Sequence, residues 1–123
     1  MTTIIGGWRG YYCYEGILAS NPACGFSAEF RTEMAEYAFS GSITDDIPVG
    51  PAVLKGTQTG MEIEFVKSYV SRGCLGLARP SIRYTGTISE DGNNITGTWA
   101  LRSWMGSTHG TWSAVRTWPE VRY

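Results

Sequence analysis

Histidine is almost absent from this 123-residue chain, cysteine is scarce, and neither a long apolar run nor a block of like charge occurs in it. The one histidine, His109, cannot make a transition-metal site alone, and no acid lies near it in sequence. Strand alternation turns it toward solvent. The three cysteines, Cys13, Cys24 and Cys74, are odd in number and form no Cys-x-x-Cys pair, so neither a disulfide framework nor a structural zinc site is expected. They read as reduced thiols. Ten basic and eleven acidic residues leave a formal net charge of −1 and are scattered, which predicts no nucleic-acid partner and no anionic membrane surface. The opening MTTIIGGWRGYY has a two-residue apolar run and no positive leader, so neither a signal peptide nor a membrane span is predicted, and a cytoplasmic address is the default. In that setting the glycosylation acceptor Asn94-Ile95-Thr96 is a formal match only.

What the chain has in quantity is glycine and aromatic rings: sixteen glycines, seven tyrosines and five tryptophans. That balance suits many short strands joined by tight turns, in one domain over residues 1–123. Period-two alternation gives about eight strand candidates. The first, Trp8 to Glu15, puts Trp8, Gly10, Tyr12 and Tyr14 on one face and Arg9, Tyr11, Cys13 and Glu15 on the other. From Phe26 to Phe39 the spacing fits either two strands with a turn near Thr32-Glu33 or a stretch of helix. The two-strand reading is taken, and it places Tyr37, Phe39, Gly41 and Ile43 on an inner face. Asp45-Asp46 reads as part of the next connection, since adjacent strand residues point to opposite faces and cannot form a carboxylate pair.

Ala52 to Thr59 is a weaker strand. In MEIEFVKSYV, Met61, Ile63, Phe65, Lys67 and Tyr69 share the apolar face, while Glu62 and Glu64 form an outer stripe. A glycine-rich connection around Arg72 to Arg79 is expected to be the mobile loop. The last three strands put Ile82, Tyr84, Gly86 and Ile88, then Ile95, Gly97, Trp99 and Leu101, then Gly110, Trp112 and Ala114 on the apolar side, with an Asp-Gly-Asn-Asn turn after the first of them. Glycines inside strands permit the strong coiling that a small closed barrel needs, and closure removes the exposed edges. The predicted fold is therefore all-β, a single eight-stranded antiparallel up-and-down barrel.

In Gly7-Trp8, Tyr84-Thr85-Gly86, Gly97-Thr98-Trp99 and Gly110-Thr111-Trp112, carried on eight short strands, the chain resembles the streptavidin-like and other calycin-type barrels. The resemblance covers most of the chain as strand rhythm and implies a barrel fold. The Asn and Ser that follow the opening Trp in the avidin group are replaced by Arg9, Gly10 and Tyr11, so it carries over no functional residue.

An eight-stranded barrel is just wide enough to be filled by side chains or to hold one small ligand. Trp8, Tyr12, Tyr14, Tyr37, Lys67, Tyr69, Tyr84, Trp99 and Trp112 are the candidate ligand-binding residues, offering apolar walls with hydroxyl and indole donors suited to an aromatic or amphipathic molecule. Alternatively the rings fill the core. Lys67, between Phe65 and Tyr69, must be paired, stacked on a ring or extended to water: it meets a ligand carboxylate, or pairs with Asp45, Asp46 or Glu15. No cofactor, metal or catalytic residue is predicted, and a Schiff-base enzyme using Lys67 is the third reading, after a binding module and a filled structural barrel. Outward Tyr11, Val66, Val70 and Val115, with Trp104 and Trp118, raise a homodimer as a further expectation.

Overall fold

A computed structural model describes residues 3–16, 22–47, 50–70, 81–103 and 106–119. Eight strands follow one another: β1 (Gly6–Tyr14), β2 (Cys24–Thr32), β3 (Ala38–Asp45), β4 (Pro51–Thr59), β5 (Glu62–Tyr69), β6 (Ile82–Ile88), β7 (Asn94–Ser103) and β8 (Gly106–Trp118). Each pairs antiparallel with the next, and β1 pairs with β8, which closes the sheet into an up-and-down barrel. The ambiguous stretch is two strands, with the turn at residues 33–37. The glycine-rich connection of residues 71–80, with Cys74, lies outside the described residues, as does Trp104.

The alternation that marks the strands also sorts their faces. On β6 the buried residues are Ile82, Tyr84, Gly86 and Ile88, and Arg83, Thr85 and Thr87 between them are exposed. Tyr37 departs from this pattern. It lies one residue before β3 at φ 65°, left-handed backbone that breaks the pleat, and its ring is 64% exposed. The inner face of β3 starts at Phe39 instead and continues through Gly41 and Ile43 to Asp45.

The repeated Gly-Thr-Trp triplets pair with each other. The register sets Gly97 opposite Trp112 and Trp99 opposite Gly110, so each indole lies across the glycine of the other triplet. Trp112 reaches over Gly97 and donates to the carbonyl of Thr85 on β6 at 2.8 Å, while Trp99 reaches over Gly110 and donates to Cys13 on β1 at 3.0 Å. A Cβ at Gly97 would fall 1.8 Å from the Thr85 oxygen, and one at Gly110 would fall 1.8 Å from the Cys13 oxygen. Glycine here is demanded by space: the backbone of β6 occupies the place of a side chain at Gly97, and the Cys13 carbonyl and the Trp99 indole occupy it at Gly110. Gly110→Ala is expected to cost about 1–3 kcal/mol in overpacking, read as a lower urea midpoint at unchanged m-value.

The two ends of the barrel differ. At the lower end, where β1 begins and β8 finishes, residues 3–5 run across the opening and bury Ile4 and Ile5. Arg116 pins this segment: its guanidinium donates to the carbonyls of Gly92 at 2.9 Å, Ile5 at 2.7 Å, and Thr3, and stacks 4.5 Å from the Trp8 ring centre. Trp8 in turn donates to the Ile4 carbonyl at 2.8 Å. Above this plug the lumen is filled by rings. Phe30, Phe39 and Phe65 meet edge-on at 5.5 to 6.2 Å, and Tyr84 stacks on Phe65 at 4.7 Å with Trp112 edge-on to both. Such pairs contribute about 0.5–1.5 kcal/mol each beyond their buried area.

Candidate functional site

At the upper end, where β3, β5 and β7 finish, the lumen becomes polar. Alternation along β3 carries Asp45 inward after Phe39, Gly41 and Ile43, and alternation along β5 carries Lys67 inward after Ile63 and Phe65. Their side chains meet inside the barrel, over the β4 strand that separates them. Lys67 Nζ lies 2.8 Å from Asp45 Oδ1 and 3.0 Å from Oδ2, and the Tyr69 hydroxyl donates to Oδ2 of the same carboxylate. Lys67 is 1% exposed and Asp45 5%, and they are the only buried charged side chains among the described residues. Three tyrosine rings surround the ammonium, with centres 4.7 Å (Tyr69), 5.4 Å (Tyr12) and 5.9 Å (Tyr84) from Nζ. A cation so enclosed exchanges its water for ring faces and one carboxylate.

Asp46, the next residue, points outward and forms an ion pair with Arg9, whose guanidinium also contacts Ser27. Arg9 holds the Asp46 carboxyl below its usual range. The two aspartates thus face opposite sides of the wall, Asp45 as the last residue of β3 and Asp46 just beyond it.

Burial sets the acid–base character of the cluster. Desolvation lowers the Lys67 pKa, and the hydrogen bond and charge of Asp45 oppose that shift. The same desolvation pushes the hydroxyls of Tyr12, Tyr69 and Tyr84 well above the ordinary tyrosine value. The Cys24 thiol adds to it for Tyr12, a hydrogen bond to Asp45 adds to it for Tyr69, and the nearby Asp45 charge adds to it for Tyr84. Around this floor Tyr14 packs edge-on to Trp99 at 5.2 Å and to Tyr12 at 6.2 Å, while Tyr14, Cys24, Tyr69 and Leu101 are only partly buried. They form the rim.

Of the residues singled out from the sequence, the structure brings Tyr12, Tyr14, Lys67, Tyr69, Tyr84 and Trp99 together at this end. Trp112 lies deeper, within the ring stack, and Trp8 belongs to the lower plug. Tyr37 is on the outside of the opposite end. Asp45, which the sequence reading placed in a turn and named only as one of three possible partners for Lys67, is the hub of the cluster. The period-two run Phe39, Gly41, Ile43, Asp45 is the signal that finds it. Cys24, opposite Tyr12 in the β1–β2 register, was also missed.

Among the described residues no three His, Cys, Asp or Glu side chains converge as a metal site would require, and no helix is long and apolar enough to cross a membrane. Comparison with family models, with curated proteins and with solved structures returns no match. The architecture and the site geometry therefore carry the functional argument alone.

Proposed function

We propose that this protein is a non-catalytic binding module of the calycin-like type, which holds a small uncharged amphipathic or aromatic molecule at the upper end of its barrel. The observation that carries this reading is the buried Lys67–Asp45–Tyr69 cluster in a lumen otherwise filled by apolar side chains. A buried ion pair is commonly no more stable than well-packed apolar residues of similar volume. Its presence at one end, beneath a partly exposed aromatic rim, fits a polar floor for a ligand better than a device for stability. Asp45 supplies the counter-charge to Lys67, so the floor is neutral overall. A ligand carboxylate or ammonium would have to displace a satisfied partner, whereas a hydroxyl, carbonyl or amide could exchange hydrogen bonds with the tyrosine hydroxyls at little cost. Tyr14 and Leu101, partly buried at the rim, then offer apolar surface to the rest of the ligand.

The same proposal places the protein in an aqueous, reducing compartment without nucleic-acid or membrane partners. In support, the outward faces of β5 to β7 carry glutamate, threonine and arginine, the reverse of the apolar outer band that a membrane barrel presents.

Native mass spectrometry of the purified protein tests the reading. A retained small-molecule mass is expected, and Tyr14→Ala is expected to lower its occupancy about fivefold. The packing of Phe30, Phe39, Phe65, Tyr84 and Trp112 favours a second reading, a filled barrel that acts as a subunit through its outer face. Tyr11, Val70 and Val115 are 52%, 64% and 51% exposed there. An empty dimer in the same experiment supports that reading instead.

A further inference from the structure

On the outer wall of the barrel, separate from the lumen, the strand register assembles a cationic groove that the linear sequence disperses. Arg83 on β6 faces Ala100 on β7, and Ala100 faces His109 on β8, so the three form one row across the sheet. Arg102 stands two residues beyond Ala100 on β7, about 8 Å from Arg83 between Cα atoms for ordinary strand spacings. Ala100 is the small residue at the centre of this triangle, and its short side chain leaves a depression of about 510 Å³. Val66 gives it an apolar wall and Thr108 a hydroxyl. Among the described residues the lining contains two guanidinium groups, an imidazole and several hydroxyls, and no carboxylate. Neither arginine forms an ion pair with a described residue, in contrast to Arg9 and Arg31 on the same outer surface.

We propose that this groove binds a phosphate monoester carried on a small apolar or aromatic group. Each guanidinium presents five N–H donors in a planar fork, more than a single carboxylate can use from two arginines at once. Three terminal phosphate oxygens accept from both, and the dianion matches their combined charge. The apolar moiety lies over Ala100 against Val66. The volume accommodates a ring together with its phosphate and falls within the range of small-molecule sites.

Titration of the intact protein with phenyl phosphate, followed by amide chemical shifts in two-dimensional NMR, tests the proposal. Saturable shifts are expected at Arg83, Ala100, Arg102 and His109. Affinity is expected to fall about tenfold in Arg83→Gln and in Arg102→Gln, and severalfold between about 50 and 300 mM salt. Benzyl alcohol, neutral and of similar shape, is expected to bind at least tenfold more weakly. The proposal is overturned by an absence of saturable shifts at about 10 mM phenyl phosphate, by shifts that map elsewhere, by undiminished binding to a variant carrying both Arg83→Gln and Arg102→Gln, or by equal binding of benzyl alcohol. Both arginines are exposed, so the variants should keep the wild-type spectrum. Should Arg83→Gln lose it, Arg102→Gln alone decides the matter.

Discussion

Lys67→Met is expected to destabilise the barrel by about 3–5 kcal/mol, because it leaves the Asp45 carboxylate buried with the Tyr69 hydroxyl and no cation. For a chain of this size that corresponds to a fall in melting temperature on the order of 10–20 °C. Asp45→Asn should be milder. The lysine it strands can lose its proton, a response that its lowered pKa already favours, so this variant should gain stability as pH rises. Asp45→Leu combined with Lys67→Met removes both charges and should recover most of the loss, with a coupling of about 2 kcal/mol or more in the double-mutant cycle. Urea unfolding of the four proteins at one pH measures it. Strictly additive losses would show that the pair does not act as a unit. A double variant that is as stable as the parent yet no longer retains a ligand would separate the site's purpose from its contribution to folding.

Alkaline conditions are expected to unfold the protein cooperatively rather than ionise its tyrosines one by one. Tyr12, Tyr69 and Tyr84 have pKa values raised by burial, whereas in the unfolded chain each ionises near pH 10. Below that pH both states hold these protons and the stabilising contribution is fully present. Above it the unfolded state sheds protons that the folded state keeps, so stability falls as pH rises. Lys67 acts in the opposite sense. Its folded pKa is lowered, so between that value and about 10.5 the unfolded state binds more protons and stability gains with pH. Above about pH 10.5 the lysine contributes no further slope and the tyrosines prevail. Each one then costs about 1.4 kcal/mol per pH unit, which the most deeply buried, Tyr84 and Tyr12, should show most fully. Phenolate absorbance followed between about pH 8 and 12, alongside far-ultraviolet circular dichroism, checks this. The late fraction of the tyrosine signal should appear together with loss of sheet. Ionisation of all seven tyrosines in a folded barrel would contradict the burial of these three.

The strands and their faces were legible because alternation is a local property. Ile82 to Ile88 and Ile95 to Leu101 declare their inward sides in the sequence itself, and the paired glycine and tryptophan positions agree with the close approach of the backbones. Position along the barrel is a different matter. Trp8, Trp112 and Trp99 read alike in the sequence, yet they occupy the lower plug, the ring stack and the layer beneath the upper rim, because height depends on how each strand is staggered against its neighbours. Tyr37 misled by extending the alternation of Phe39 and Gly41 backward through a turn, where the left-handed backbone resets the pattern. Asp45 misled in the other direction: two adjacent acids before a proline resemble a connection, and only a partner from β5, twenty-two residues away, gives the first of them a reason to point inward. The segment at residues 3–5 shows no periodicity because it lies across the barrel end rather than in the wall.

The closure of β1 on β8 bears on how the barrel forms. Seven of its eight seams join strands that follow one another in the chain, so each pairing closes only a short stretch of sequence. The eighth joins the first strand to the last, with Tyr12 beside Trp112, across the span of the whole chain. Loop-closure entropy therefore falls on that single seam, and non-local pairing of this kind slows folding. Arg116, bound to the carbonyls of Thr3 and Ile5, sits where the first and last strands come together and acts as the clasp of the ring.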